Sequence, residues 1–263
     1  MTPPVALTIA GSDAGGGAGI QADLKVFAAL RAYGASAVTA VTSQNYRGMR
    51  DVYGLPTTVV DAQLDAVLDG LPVGAVKAGM LATADVAGVV AARARAGLLP
   101  NLVVDPVLTA SSGRRQGLVK AIERILPFAL VATPNREEAS ALVGWQVATP
   151  ADMAGAAAQI ASNGPKYVVV TGGDMVSTGD EALDALWTDT GATFLRFPRV
   201  VTRNTYGAGS TFSAAIAARL ALGDDVPTAL AFAKQYVAQC LTGAQQWKLS
   251  ARPGPLDHFG WSL

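Results

Sequence analysis

A chain of 263 residues carries 20 lysines and arginines against 20 aspartates and glutamates, so it lacks the basic footprint of a nucleic-acid binder and the polybasic patch of a membrane-surface protein. Hydrophobic residues make up 51% and charged residues 15%. That is the composition of a compact, ordered globule, and no uninterrupted apolar run approaches the roughly 18 residues of a membrane span.

Residues 5–10 are an apolar run without polar alternation, the pattern of a strand buried on both faces. The run ends in Gly11-Ser12-Asp13-Ala14-Gly15-Gly16-Gly17-Ala18-Gly19, and a helix follows over 20–33 with Leu24, Phe27, Ala28 and Leu30 inward. A glycine-rich loop between a strand's carboxyl end and a helix is where open α/β sheets place ligands. This one has neither the Gly-Lys-Ser/Thr close of a Walker loop nor a good dinucleotide fingerprint. Asp23, read in the first turn of that helix, has a plain role as a charge favourable to the helix dipole.

A second strand over 36–42 leads into Ser43-Gln44-Asn45, which reads first as turn chemistry and alternatively as polar groups for the edge of a flat heteroaromatic ring. A short strand over 51–55 is expected off the main sheet, then a helix over 58–68, a strand with its exit loop over 75–81 and a helix over 86–96. The strand over 102–107 ends in Asp105-Pro106. An acid at that end either reaches a metal-bound phosphate in the crevice or caps the following loop. After a strand over 129–132, Thr133-Pro134-Asn135-Arg136-Glu137-Glu138 opens a helix. Asn135 and Glu138 have the spacing of a capping box, with the holding of waters around magnesium as the alternative.

A helix over 150–162 precedes a strand over 167–171 that ends in Gly172-Gly173. Segments 182–187 and 193–197, separated by Asp189-Thr190-Gly191, read as an antiparallel hairpin. On a last helix over 227–242, Cys240 shares a stripe with Leu230, Ala233 and Val237 and reads as a buried, inert thiol. One cysteine and one histidine leave a zinc site of protein ligands without donors. That histidine, His258, has no Gly-x-Ser-x-Gly elbow to serve. Met1-Thr2-Pro3-Pro4 has no charged n-region, so no signal peptide is expected and the expected location is the cytoplasm. Strands alternate with helices and close with a hairpin, without repeat or linker, so a single domain over 1–263 is expected.

The stretch Arg203-Asn204-Thr205-Tyr206-Gly207-Ala208-Gly209-Ser210-Thr211-Phe212 runs into a helix with Phe212, Ile216 and Leu220 four residues apart. The start of a helix leaves four N–H groups without internal partners and carries partial positive charge, and glycines let an anion approach closely. Gly207 and Gly209 are read either as such a phosphate site or as a tight turn.

Seven ordered blocks carry a family resemblance: Ala6-Leu7-Thr8-Ile9-Ala10-Gly11-Ser12-Asp13, the run from Gly15 to Lys25, Val41-Thr42-Ser43-Gln44-Asn45, Val76-Lys77-Ala78-Gly79-Met80-Leu81, Val104-Asp105-Pro106-Val107, Thr133-Pro134-Asn135 with Glu138, and Asn204-Thr205-Tyr206-Gly207-Ala208-Gly209. They resemble the hydroxymethylpyrimidine/phosphomethylpyrimidine kinase family, and the tail Gly254-Pro255-Leu256-Asp257-His258-Phe259 fits as well. The resemblance implies an α/β, ribokinase-like three-layer sandwich with a mostly parallel sheet. It also implies ATP- and magnesium-dependent phosphorylation of 4-amino-5-hydroxymethyl-2-methylpyrimidine and then of its monophosphate in thiamine biosynthesis, by a homodimer. Carried over by position, Asp23 and Gln44 would hydrogen-bond the aminopyrimidine, with Gly11, Met80 and Val107 lining its pocket. Asp105, Asn135 and Glu138 would organise magnesium and phosphates, Asn135 with Thr171 and Lys234 on the nucleotide side. The N–H groups of Ala208, Gly209 and Ser210, after Gly207, would hold the transferring phosphoryl group.

The chain departs from the family pattern at three positions: Tyr206 stands where members usually have His, Ser210 where they have Cys, and Thr171 where many have Lys. Two other readings stand beside the pyrimidine kinase. One is a pyridoxal or pyridoxine kinase; the other is a pyrimidine-binding paralogue weakened by Ser210, since a serine hydroxyl is a poor base without a basic neighbour.

Overall fold

The computed structural model describes residues 2–108, 115–173, 175, 179–250 and 253–262. Its strands assemble into one nine-stranded sheet of order β3-β2-β1-β4-β5-β6-β7-β8-β9. In chain order these are β1 (Val5–Asp13), β2 (Tyr33–Asn45), β3 (Gly48–Gly54), β4 (Val73–Ala78), β5 (Leu102–Val104), β6 (Val131–Ala132), β7 (Tyr167–Thr171), β8 (Glu181–Thr188) and β9 (Gly191–Pro198). The run from β2 to β7 is parallel; β3, β8 and β9 join by antiparallel pairing.

Side-chain alternation along the parallel strands separates two cores. Leu7 and Ile9 of β1, Val76 of β4, Val104 of β5 and Val168 of β7 join one apolar cluster, whereas their neighbours Ala6, Ala75, Val103 and Val169 join the other. Helices α2 (Thr57–Gly70), α3 (Ala84–Arg95), α4 (Arg115–Glu123), α5 (Arg136–Val143) and α6 (Pro150–Ala161) cover the first face. Helices α1 (Gly19–Ala29), α7 (Ala208–Ala221) and α8 (Val226–Gly243) cover the second. The three layers match the sandwich the resemblance implies. Because β1 lies between β2 and β4, the strand order reverses there, and the loops leaving β1 and β4 open into the crevice where such sheets bind ligands.

Four expectations need correction. The strand after Asn45 belongs to the sheet: β3 pairs with β2 from Ala40↔Gly54 to Asn45↔Gly48. That pairing also keeps Ser43-Gln44-Asn45 in strand β2, with Tyr46 and Arg47 at the turn. Helix α1 stops at Ala29, since Arg31 adopts a left-handed φ of 64° and the Tyr33 N–H already bonds to the Pro4 carbonyl. It begins at Gly19, so Asp23 lies beyond its first turn. Helix α4 and a short 3-10 turn at Leu126–Phe128 fill a stretch to which the sequence assigned no element.

Candidate active site

The second glycine stretch folds as a left-handed entry into α7. Gly207 is the N-cap with φ 88° and offers no side chain to cap the helix; the Ala208 N–H donates to the Thr205 carbonyl at 3.2 Å, and the Gly209 and Ser210 amides of the first turn have no side-chain cap. A Cβ at Gly207 would overlap the Gly17 carbonyl oxygen, so this loop rests directly on the first glycine loop. Both glycine loops therefore form one structure, assembled from residues nearly two hundred positions apart.

Buried side chains brace it from behind. Asn204 donates through Nδ2 to the Ala244 carbonyl at 2.6 Å and accepts from the Gly254 N–H at 3.1 Å. Thr211 Oγ1 donates to the Gly207 carbonyl at 2.9 Å and lies 2.9 Å from His258 Nε2. Burial holds the His258 pKa down to about 4, with the Lys25 charge adding to the effect, so the ring is neutral near pH 7. The tail of the chain is thus a brace for the loop, and its histidine supports Thr211.

On one side of the α7 N-terminus lies a cleft of about 540 Å³, a volume suited to a small-molecule ligand. Ala208, Gly209, Asn135, Thr171 and Lys234 all line it. The structure therefore brings together the residues expected on the nucleotide side. Lys234 Nζ is bonded to Asp184, whose Oδ1 accepts from the Gly172 N–H at 3.0 Å. Asp184 is a cleft residue that the sequence reading missed, although an acid inside the otherwise apolar Ala182-Leu183-Asp184-Ala185-Leu186 is a signal that could have found it. Asn135 and Glu138 form the reciprocal capping box of α5, at 2.9 Å in each direction.

On the other side, Gly11 and Met80 abut so closely that a Cβ at Gly11 would overlap the Met80 methyl. Met80 packs with Ala40, Ala82 and Val107, and Met49 and Val52 of β3 complete the apolar patch. Gly11, Met80 and Val107 are thus gathered as expected, and β3 supplies a wall from within the sheet. Gln44 stands at the rim of this region, its Nε2 donating to the Tyr206 hydroxyl.

Beneath both sides runs a buried ionic network. Lys77 lies 2.9 and 3.0 Å from the two Asp23 oxygens and 3.6 Å from Asp105 Oδ2. Thr8 donates to Asp23 at 2.6 Å, and Ser213 donates to Asp105 at 3.0 Å. Burial works against the Lys77 charge, but Asp23 and Asp105 together hold its pKa above the ordinary lysine value. Asp23 is fully buried with both oxygens engaged, so here its carboxylate anchors Lys77 and does not stand as a free acceptor for a ring. Asp105, 5% exposed, joins this network to α7 through Ser213.

A model of the family described as phosphomethylpyrimidine kinase matches residues 13–257. The chain belongs to the phosphomethylpyrimidine kinase family. It is 42% identical to a hydroxymethylpyrimidine/phosphomethylpyrimidine kinase of Streptomyces coelicolor over 100% of this chain and 97% of that protein. It is also 42% identical to a chloroplastic thiamine biosynthetic bifunctional enzyme of Arabidopsis thaliana, aligning 97% of this chain with 50% of that longer one. Among solved structures, an ADP complex of Bacillus subtilis pyridoxal kinase superimposes with a TM-score of 0.90 at 37% identity, covering 98% of each chain. Within the family frame the arrangement has a clear chemical capacity. It offers a nucleotide-sized cleft, an apolar patch with a polar rim, and between them a helix N-terminus whose N–H groups can stabilise charge on a transferring phosphoryl group.

Proposed function

We propose that this protein transfers the γ-phosphoryl group of ATP to the hydroxymethyl oxygen of 4-amino-5-hydroxymethyl-2-methylpyrimidine, and then to the resulting monophosphate, in thiamine biosynthesis. The observation that carries the reading is the side-chain-uncapped N-terminus of α7, set between the 540 Å³ cleft and the Gly11–Met80 patch. The family membership supplies the substrate class.

The aminopyrimidine would lie on Met80 and Val107 with its polar edge toward Gln44, and ATP in the cleft beside Asn135, Thr171 and Lys234. The amides of Ala208, Gly209 and Ser210 would then stabilise the phosphoryl group between the two oxygens. A loose, largely dissociative transition state needs positioning and charge stabilisation more than a covalent partner. Magnesium would neutralise phosphate charge when bound. It binds through one or two carboxylates and keeps most of its waters. Asp105 and Glu138 are the carboxylates that would hold it; Asp105 also accepts from Ser213 and lies against Lys77, and Glu138 also accepts the Asn135 N–H. Action in the cytoplasm and as a homodimer are parts of the same proposal. The dimer is supported by the exposed apolar register pair Val41 and Tyr53 on the β2–β3 edge.

The B. subtilis pyridoxal kinase likeness motivates a second reading, a pyridoxal kinase. ADP release with the pyrimidine alcohol and with pyridoxal separates the two, and pyrimidine-dependent release excludes a binding-only paralogue. The same assay tests Ser210. This side chain sits in the first turn of α7, with no basic hydrogen-bond partner for its hydroxyl among the described residues. A positioned general base contributes about 10² to 10⁴ in rate, and the loop amides act independently of the side chain. Ser210→Ala is therefore expected to change turnover only a few-fold. Ser210→Cys should raise it, more so from pH 6 to 9, because a thiol titrates near pH 8.5 and a helix N-terminus lowers that value. Loss of activity in Ser210→Ala without gain in Ser210→Cys would show that the hydroxyl has a specific role in transfer.

A further inference from the structure

Tyr206 occupies a position that its hydrogen bonds make directional. Asp13, at the end of β1, accepts the Gly15 N–H on Oδ1 at 2.8 Å, and the Gly17 and Ala18 N–H groups on Oδ2 at 3.0 and 2.9 Å. A carboxylate offers acceptors only, so the contact of 3.2 Å between Asp13 Oδ2 and the Tyr206 hydroxyl uses the one phenolic hydrogen. The Tyr206 oxygen is then left as an acceptor toward Gln44. Of the two ends of the Gln44 amide only the nitrogen can donate, and the Gln44 Nε2 contact with Tyr206 follows from that. Gln44 Oε1 is thereby turned away from Tyr206. Its neighbour there, Thr42 Oγ1 at 3.3 Å, also donates to the Ser12 carbonyl at 2.9 Å and so engages it only weakly.

The relay is held rigidly as well as polarised. The Tyr206 ring meets Tyr46 edge-on at 5.3 Å, and the Tyr46 hydroxyl donates to the Gly15 carbonyl at 2.8 Å. Burial and the adjacent Asp13 carboxylate both push the Tyr206 phenol above its ordinary pKa, which keeps the relayed hydrogen in place. Orientation of a glutamine amide is commonly an arbitrary assignment, but here it is dictated by a carboxylate two hydrogen bonds away.

We infer that Tyr206 is a specificity-determining, positioning residue: it fixes Gln44 with its carbonyl oxygen toward the ring, so that the site takes a heteroaromatic alcohol whose edge carries an exocyclic N–H donor and disfavours one carrying an oxo acceptor at that place. The inference rests on the proposed reading that Gln44 meets the substrate ring. It adds that the direction of that hydrogen bond originates at Asp13 and passes through the tyrosine.

The test is a binding titration of the whole protein with the 4-amino pyrimidine alcohol and its 4-oxo counterpart, each in the presence of a non-hydrolysable ATP analogue. The wild type is expected to prefer the amino ring by roughly 30-fold or more, the size of effect that an unpaired or opposed buried hydrogen-bonding group produces. Tyr206→Phe keeps the ring packed on Tyr46 and frees the amide to turn, so the preference should fall about tenfold while ATP-analogue affinity changes about twofold or less. Gln44→Ala should remove the preference, and adding Tyr206→Phe to it should have no further effect on the ratio. Equal weakening of both rings by Tyr206→Phe, or a change in the ratio that persists without Gln44, would overturn the inference while leaving the pyrimidine reading intact. A wild type that binds neither ring would sink both.

Discussion

Lys77→Met is expected to destabilise the protein by about 3 to 5 kcal/mol, the cost of leaving buried charge without its partner. Lys77 is 1% exposed, and it is the cation shared by Asp23, itself fully buried, and Asp105. Removing it leaves two carboxylates in a region with little water, so each must take up a proton or remain uncompensated. Methionine fills much of the same volume, which separates the electrostatic loss from a cavity effect. Against a total stability typically of about 5 to 15 kcal/mol, such a loss is large enough to read directly from urea denaturation. Converting the strongest partner as well, in Lys77→Met with Asp23→Asn, should restore part of the stability because one of the orphaned charges is gone. A single variant within about 1 kcal/mol of wild type would mean that the network is not an ionic one.

The second large effect is expected at Gly207. Alanine there must hold a φ of 88° and place its Cβ into the Gly17 carbonyl oxygen. That neighbour is backbone, so relief requires the two glycine loops to separate. A shift of about 1 Å in a transfer site costs on the order of 10²-fold in rate, and turnover of Gly207→Ala should fall at least that far, with ATP-analogue binding weakened in parallel. The control is Gly209→Ala, where a Cβ meets nothing within 4 Å. It should fold with wild-type stability. Near-normal turnover in Gly207→Ala would show that the contact between the loops is dispensable.

Much of this architecture was legible in the chain because it is written locally. The apolar runs of β1 and β7, the glycine stretches at strand ends and the Asn135–Glu138 spacing each encode their element within a few residues. What escaped depends on pairing at a distance. Strand β3 has the alternation of an exposed edge, and only its register with β2 places it in the sheet and brings Met49 and Val52 to the pocket. Gln44 reads as a turn residue until that same pairing fixes it in a strand. Asp23 resembles a ring-binding acid by position, yet Lys77, 54 residues away, claims both its oxygens. Lys77 and Asp184 did leave a signal, a lone charge in an apolar strand, which chemistry permits only where a partner is waiting.

Phosphorus NMR of the product tests the central claim most directly. The protein is incubated with MgATP and 4-amino-5-hydroxymethyl-2-methylpyrimidine, and the spectrum is followed over time. The account predicts a phosphate monoester of the pyrimidine alcohol first and its diphosphate afterwards, with ADP formed in step with each new ester bond. ADP accompanied only by inorganic phosphate, or a monoester formed from pyridoxal but none from the pyrimidine, would contradict it.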